Sequence, residues 1–231
     1  MFYKDWKPIY EEIAKDFNYM LEKEMKSTEM LDDLLKKRNK FPLDELYGKI
    51  SDKEVIIFGA GPSLEKTLDL HKELIKESIT ISADGTTSAL LKNDILPDII
   101  VTDLDGNIND QIYANSNGSL TIIHAHGDNI SEIKRFVPKF KNKVIGSTQI
   151  NPQSFENVYN FGGFTDGDRA VFLSSHFNAK KIQLIGFDFN GEVGKYSCPE
   201  KKDINLKIKK LKWCKHLIEL LIKKNGNIYY L

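Results

Sequence analysis

Two aspartates one residue apart, Asp103 and Asp105, come directly after the apolar run DIIVT. In an extended segment alternate side chains point to the same face, so the two carboxylates can share a hard cation, and Gly106 permits a sharp turn after them. Magnesium takes oxygen ligands and keeps several waters, so two carboxylates and substrate phosphates are enough to hold it. The spacing predicts a magnesium site, and an ordinary aspartate–glycine turn is the alternative.

A glycine-containing loop follows the apolar run VIIF. Glycine allows backbone conformations that other residues avoid, and proline and serine suit the start of a helix, so backbone N–H groups can face an anion there. Leu64 stands where a dinucleotide fingerprint has its third glycine, which leaves an ordinary strand-to-helix turn as the alternative. The candidate phosphate-binding residues of this loop are Gly59, Gly61, Pro62 and Ser63.

A third candidate set, Asp84, Gly85 and Thr86, follows the run ITISA. Asp84 lies roughly 20 residues beyond the glycine loop, where a dinucleotide-binding domain places its ribose-binding acid. This spacing keeps a nicotinamide cofactor open as an alternative. The glycine and threonine that follow are more typical of a turn and a helix cap. We group the three residues with the nucleotide-binding candidates.

The run LTII is followed by His124, His126 and Asp128. Two histidines on one side of a strand and one carboxylate have the composition of a zinc or iron site. Asp128 equally suits a helix N-cap, so phosphate contact or capping is the favoured interpretation. Farther on, Asp168 and Arg169 in the segment FTDGDR precede a predicted helix, where an arginine can bridge phosphates or lie exposed.

These loops are placed by an alternation of short β-branched runs with amphipathic segments, which predicts a parallel sheet of about six strands. Helices between continuous apolar strands indicate a doubly wound α/β fold, whose ligands bind beyond the carboxyl ends of the strands. Residues 1–47 are predicted to be a helical N-terminal cap on an α/β domain of residues 48–231. A last long helix with Ile204, Ile208, Leu211, Ile218 and Ile222 on one stripe precedes an edge strand, NIYYL.

The composition excludes several classes of protein. Thirty-three basic side chains balance thirty-three acidic ones, so a nucleic-acid partner is not expected. The chain has no apolar run long enough to cross a bilayer and no secretion signal, so we expect no membrane partner and a cytoplasmic location. Cys198 and Cys214 lack metal-binding spacing and are read as ordinary thiols. A homo-oligomer is left open.

Together the segments ADGTTSALL, PDIIVTDLDG, HAHGDN, FTDGDRA and GFDF resemble the archaeal 6-hydroxymethyl-7,8-dihydropterin pyrophosphokinase family, whose relatives include thiamine pyrophosphokinases. The similarity to the thiamine enzymes is strongest over residues 83–90 and 97–105. HAHGDN stands near the place of their downstream acidic motif, and the helical N-terminus and GAGPSL also fit the pterin family better.

The resemblance implies a Rossmann-like enzyme that transfers a diphosphoryl group from ATP to the hydroxymethyl group of the pterin, with magnesium, in folate or methanopterin synthesis. It implies magnesium on Asp103 and Asp105, aided by Asp84 or Asp128, and phosphate contacts from the glycine loop and Arg169. His126 would accept a proton. Asp168 or Asp188 would bind the guanidine-like edge of the pterin ring.

Three other functions stay open at this point. A metal-dependent nucleotide-sugar transferase would also use the Asp103 and Asp105 pair. A nicotinamide-dependent oxidoreductase would use the glycine loop and Asp84, but it leaves DLDG and HAHGDN without a role. A binding module without catalysis is the third.

Overall fold

The computed structural model describes residues 2–190, 193–197 and 203–231, so Cys198 lies outside the described residues. Within these ranges the chain forms ten α-helices and eight β-strands. The helices are α1 (Tyr3–Phe17), α2 (Leu21–Leu35), α3 (Leu43–Ile50), α4 (Leu64–Leu70), α5 (Lys72–Glu77), α6 (Thr86–Lys92), α7 (Ile108–Ser116), α8 (Ile130–Phe136), α9 (Asp166–His176) and α10 (Ile204–Asn225). The strands are β1 (Glu54–Phe58), β2 (Ile79–Ala83), β3 (Ile99–Thr102), β4 (Leu120–Ala125), β5 (Val144–Thr148), β6 (Val158–Tyr159), β7 (Lys181–Ile185) and β8 (Ile228–Tyr230).

The strands form one sheet in the order β6-β5-β4-β3-β2-β1-β7-β8, and every neighbouring pair is parallel. The predicted doubly wound α/β fold is confirmed, with eight strands rather than about six. NIYYL supplies the edge strand β8. The two-residue strand β6 was not predicted, because so short a pairing leaves no periodic pattern in the sequence.

The order of the strands reverses at β1, which lies between β2 and β7. The chain lays down β1 to β6 in one direction and then returns through α9 to place β7 on the other side of β1. At such a reversal the loops after neighbouring strands turn to opposite faces of the sheet and leave a crevice. The fold therefore opens a site beyond the carboxyl ends of β1 and β7.

Helices cover both faces of the sheet, as the continuous apolar strands predict. Alternate residues of β1 show the two cores: Val55 and Ile57 pack with α1, α3, α9 and α10, and Ile56 and Phe58 pack with α4, α5 and α6. A third apolar cluster joins α2, α7 and α8 to the β4 and β5 side of the sheet.

The N-terminal helices pack directly on the sheet. Trp6 and Ile13 are fully buried in the same core as β1, and the Trp6 indole N–H donates to the Gln149 carbonyl at 3.0 Å. The predicted boundary after residue 47 falls inside α3. No helix among the described residues is long and apolar enough to span a membrane.

The predicted apolar stripe of the last helix is correct only in its second half. In α10 the side chains that are buried are Cys214, Leu217, Ile218 and Leu221. Ile204 is 56% exposed, because the first turns of the helix extend beyond the core. These turns lie instead over a cavity at the carboxyl ends of the strands.

Candidate active site

A cavity of about 380 Å³ lies at the carboxyl ends of the strands. The loops after β1, β2, β3, β4, β5 and β7 contribute to its lining, and so do the start of α9 and the first half of α10. Tyr19, in the connection between α1 and α2, completes one end. The site thus occupies the edge of the sheet at which the fold predicts ligands.

Three carboxylates meet in this cavity. One oxygen each from Asp84, Asp103 and Asp166 lies within 4.8 Å of the other two, and the residues come from the ends of β2 and β3 and from the first position of α9. Asp105 lines the same cavity. Like charges this close repel one another unless a proton or a cation lies between them.

Three hydrogen bonds to one carboxylate oxygen hold the side chain of Asp84 in position. Its Oδ1 accepts from the Thr102 hydroxyl at 2.8 Å, the Gln111 amide at 2.9 Å and the Gly106 backbone N–H at 3.3 Å. Burial raises the pKa of Asp84 well above its usual range, and the charges of the neighbouring carboxylates raise it further. Asp84 also takes a positive φ of 45°, a conformation that aspartate adopts more readily than most residues.

Asp103 has one engaged oxygen and one without a partner. Its Oδ2 lies 3.4 Å from Nε2 of His126, whereas its buried Oδ1 has no hydrogen-bond partner among the described residues. Burial alone would raise the pKa of Asp103, but the hydrogen bond from His126 and the positive charge of Arg169 hold that pKa below its usual range. The carboxylate is therefore ionised and has an oxygen to offer.

The spacing of Asp103 and Asp105 predicts that the segment carrying them is extended, but this segment is a turn. Leu104 between them takes a left-handed φ of 69°, and its backbone N–H donates to the Thr102 hydroxyl at 2.9 Å. The chain turns immediately after β3, and the turn still leaves both carboxylates in the lining of the cavity. Gly106 is required at this turn, since a Cβ there would lie 2.4 Å from Asp84 Oδ2.

The donor set fits a magnesium ion. Three hard oxygen ligands converge, and one of the three residues, Asp103, has a buried oxygen without a hydrogen-bond partner among the described residues, so the cluster favours a divalent cation. Asp166 was not among the predicted ligands. Asp128, which was, is exposed and lies outside the lining of the cavity.

Asp168 does not face the cavity, although we grouped it with the cofactor-binding residues. Its carboxylate is fully buried and accepts from the backbone N–H groups of Phe164 and Thr165 and from the Thr165 hydroxyl. It forms a capping box with Thr165 at the start of α9. The pattern Thr-x-x-Asp before a helix was visible in the sequence and would have separated its role from that of Asp166.

Arg169 lies one turn into α9 and does line the cavity. Its Nη1 donates to Asp166 Oδ1 at 3.0 Å, and its buried Nε has no hydrogen-bond partner among the described residues. Lys207 and Lys210 of α10 line the same cavity, which therefore holds positive as well as negative side chains.

The glycine loop does not present the backbone donors that the sequence suggested. The N–H groups of Gly59 and Gly61 donate to the carbonyls of Ile185 and Gly186 at 2.8 Å each. Ser63 donates its N–H and its hydroxyl to Asp188 Oδ2. A Cβ on Gly61 would lie 2.1 Å from that oxygen, so the glycine serves close packing between two loops.

Other members of the predicted set are divided between the lining and the scaffold. Gly59, Gly61 and Gly85 line the cavity, and Pro62, Ser63 and Thr86 do not. Thr86 is buried at the start of α6, where its hydroxyl donates to the Phe58 carbonyl at 3.1 Å. Gly85 packs under the backbone of Tyr196, whose carbonyl oxygen would lie 2.0 Å from a Cβ.

His124 and His126 differ in environment. His126 lines the cavity beside Asp103, whereas His124 is buried with its Nδ1 3.0 Å from the Ser147 hydroxyl. Burial lowers the pKa of His124 well below its usual range, and the charge of Arg169 adds to the effect, so it is a neutral core histidine.

Sequence reasoning missed a polar contribution from α2. Glu24 is only 2% exposed, and its carboxylate accepts from the Gln149 side chain at 2.8 Å and from the Gly127 backbone N–H at 3.0 Å. The helix thereby fixes the loops after β4 and β5 that border the cavity. A glutamate facing inward from an amphipathic helix resembles a surface residue in sequence, and no local pattern marks it.

Aromatic side chains contribute to the lining of the cavity. Tyr19 and Phe164 line it with their ring centroids 6.2 Å apart, and Phe187 and Phe189 line it from the loop after β7 with their centroids 6.4 Å apart. Aromatic surfaces beside an acidic cluster suit ring-containing ligands that carry phosphates.

Comparison with known proteins shows what the chain is similar to. A protein-family model described as 6-hydroxymethylpterin diphosphokinase MptE-like matches residues 26–193. A Methanocaldococcus jannaschii protein named 6-hydroxymethyl-7,8-dihydropterin pyrophosphokinase is 46% identical over 96% of each chain. Proteins of the same name from Pyrococcus furiosus and Methanothermobacter thermautotrophicus are 44% and 42% identical, over 98% and 96% of this chain and 96% of each relative.

Among solved structures, the MAf glycosyltransferase from Magnetospirillum magneticum AMB-1 matches with a TM-score of 0.37 and 19% identity. The match covers 60% of this chain and 23% of that one.

Proposed function

The chain belongs to the 6-hydroxymethylpterin diphosphokinase MptE-like family, and from this premise we propose that it transfers a diphosphoryl group from ATP to 6-hydroxymethyl-7,8-dihydropterin. The hydroxymethyl oxygen forms a bond to the β-phosphorus, the bond from that phosphorus to the α-phosphate oxygen breaks, and AMP leaves. The pterin diphosphate would then serve folate or methanopterin synthesis.

The observation that carries this proposal is a cluster of carboxylates in a cavity that aromatic side chains also line. Diphosphoryl transfer brings two ring-containing substrates together with a chain of phosphates between them. Such reactions depend mostly on positioning and on neutralising negative charge, because the protein forms no covalent bond. Aromatic surfaces and ionic groups that line one cavity match that requirement.

Asp84, Asp103 and Asp166 would hold magnesium, with Asp105 beside them. Magnesium bound there supplies charge neutralisation at the phosphate oxygens. Arg169, which is bonded to Asp166, and Lys210 add positive charge in the same cavity.

His126 is the candidate acceptor for the proton that the hydroxyl loses. Its Nε2 lies 3.4 Å from Asp103 Oδ2, so the ring lies beside the carboxylate cluster. Its Nδ1 accepts from the backbone N–H of Asp128 at 3.3 Å, so Nδ1 would take the proton once that long contact opens.

The resemblance implies that Asp168 or Asp188 binds the edge of the pterin ring, and the contacts of both residues bear on that role. Asp168 is buried in the cap of α9, and the Oδ2 of Asp188 is bonded to Ser63. Asp188 still lines the cavity and stays the candidate for the pterin edge. The nicotinamide alternative is not carried forward, because the N–H groups of the glycine loop are occupied and Asp84 belongs to the acidic cluster.

The test mixes purified protein with ATP, magnesium and 6-hydroxymethyl-7,8-dihydropterin and follows AMP. Thiamine and a mixture without acceptor are the controls. We expect AMP only with the pterin, and Asp103→Asn to lower its rate by orders of magnitude while the fold is kept. Folded protein that binds a nucleotide and yields no AMP with the pterin would contradict the proposal and favour the nucleotide-sugar alternative.

A further inference from the structure

Arg169 and Asp166 form an ion pair inside the cavity, with Nη1 3.0 Å from Oδ1. The side chains are 7% and 14% exposed, so water screens the pair weakly. The chain offers a matched surface pair, Asp69 and Lys72, with the same spacing of three residues and a distance of 2.9 Å. The surface pair is well exposed and serves as a control.

The Asp166 carboxylate also belongs to the cluster with Asp84 and Asp103, so it is a candidate ligand of a divalent cation as well as the partner of Arg169. One carboxylate therefore lies between a guanidinium and the position of a divalent cation. Its negative charge can neutralise only one positive partner fully. Whatever cation joins the cluster weakens the hold of Asp166 on Arg169.

Arg169 has N–H donors besides the one that it gives to Asp166. A guanidinium carries five N–H groups in a planar fork that matches phosphate oxygens, and the buried Nε of Arg169 has no hydrogen-bond partner among the described residues. A buried donor without an acceptor is costly, so a ligand oxygen that reaches it is bound strongly.

We propose that Asp166 is an exchangeable partner that occupies Arg169 until a divalent cation binds the carboxylates, and that Arg169 then takes the phosphate chain. This inference rests on the proposed function, since it names the order in which that site acquires its ligands. Cation and phosphate each raise the affinity for the other, as thermodynamic linkage requires. Arg169 is thereby kept from binding phosphate that arrives without its metal.

The proposal and a purely structural role for the ion pair predict opposite changes in phosphate affinity when Asp166 is replaced. If Asp166 only positions Arg169, Asp166→Asn weakens phosphate binding under all conditions. If Asp166 competes with phosphate, the same substitution tightens binding in the absence of metal. The probes are inorganic diphosphate and α,β-methylene-ATP, an analogue that cannot be split between the α and β phosphates.

The measurement is calorimetric titration in EDTA and then in magnesium. We expect Asp166→Asn to bind both probes in EDTA about tenfold more tightly than the wild type, the scale of one charge-assisted hydrogen bond. Adding Arg169→Gln should remove the gain. Asp105→Asn removes the same charge from the cavity but keeps the Asp166 carboxylate that bonds Arg169, so it should give a smaller gain, and Asp69→Asn should give none.

Two results would overturn the inference: equal or weaker binding by Asp166→Asn in EDTA, or an equal gain in Asp105→Asn. Asp166→Ser is the second variant if the first does not fold, as judged by urea unfolding. A wild type that binds diphosphate but not the ATP analogue in magnesium would contradict the proposed use of ATP. The sign of the diphosphate result would still decide the exchange between Asp166 and Arg169.

Discussion

The Asp188 carboxylate accepts two hydrogen bonds from Ser63, one from its backbone N–H at 2.9 Å and one from its hydroxyl at 2.8 Å. The residues lie 125 positions apart and connect the loop after β1 to the loop after β7. An aspartate of the chain thus occupies the donors at the start of α4 that a phosphate would otherwise use.

We expect Asp188→Asn to lower the free energy of unfolding by about 1–2 kcal/mol, since an amide replaces a charged acceptor of two hydrogen bonds. Ser63→Ala, which keeps the backbone bond, should cost about 1 kcal/mol. Urea unfolding measures both, and Ser131→Ala on the exposed start of α8 is the control. Unchanged unfolding in Asp188→Asn would mean that the two loops hold together without this carboxylate.

Asp84→Asn should stabilise the protein in EDTA and abolish its response to magnesium. The folded pKa of Asp84 lies above the unfolded value, so the ionised carboxylate costs stability as pH rises from the unfolded pKa through the folded one. Asparagine keeps the Oδ1 acceptor and removes the charge. The expected gain at pH 8 is on the order of 0.5–2 kcal/mol, the usual size of a single stabilising substitution.

Urea unfolding in EDTA at two pH values measures this gain, with Asp69→Asn as the surface control. Magnesium should raise the unfolding midpoint of the wild type in proportion to its binding and leave that of Asp84→Asn unchanged. A variant that is less stable than the wild type in EDTA would show that the repulsion around Asp84 is small.

His124 should make the protein acid-sensitive below pH 6.5. Burial keeps the folded pKa well below the unfolded value of 6.5, so only the unfolded chain gains a proton in that window. The contribution of His124 to stability is constant above pH 6.5 and falls below it by up to about 1.4 kcal/mol per pH unit until the folded pKa is reached.

His124→Asn retains a partner for Ser147 and should flatten this dependence between pH 7 and pH 5.5. His216→Asn, at an exposed position of α10, should leave it as in the wild type. Parallel curves for all three proteins would place the acid sensitivity on other groups.

The sequence predicted the parts of the molecule that depend on local patterns. β-Branched runs marked all strands but β6, and parallel pairing then required their polar ends to share one edge. Asp103, Asp105, His126 and Arg169 were predicted to lie at that edge, and all line the cavity.

What sequence could not supply was the direction of each side chain and the contacts between distant loops. Asp166 and Asp168 are two residues apart at the start of one helix, yet one faces the cavity and the other is buried in the cap. Helix phase decides this, and the phase depends on the position of the N-cap. The bond from Ser63 to Asp188 depends on which strands are neighbours, which no local pattern encodes.

Residues 48–231 alone should not fold. Trp6, Tyr10 and Ile13 of α1 are buried in the core that holds Val55, so truncation would expose that core to water. The cut would also divide α3. We expect aggregation or loss of the cooperative unfolding transition, which circular dichroism during urea titration would reveal, and a stable, cooperatively folding fragment would instead establish the predicted domain boundary.

Asp166 and Asp168 should separate into a binding role and a structural role. Asp166→Asn removes a ligand from the carboxylate cluster and should lower AMP formation by orders of magnitude with little loss of stability. Asp168→Ala leaves the N–H groups of Phe164 and Thr165 without their acceptor, which should cost about 2–4 kcal/mol and lower activity only as far as the protein unfolds.

Turnover and urea unfolding are measured on the same preparations, below the unfolding temperature of the weaker variant. Because both substitutions remove one negative charge within two positions of α9, a difference in outcome cannot arise from net charge. Equal activity loss at equal stability would mean that α9 presents both carboxylates to the substrates.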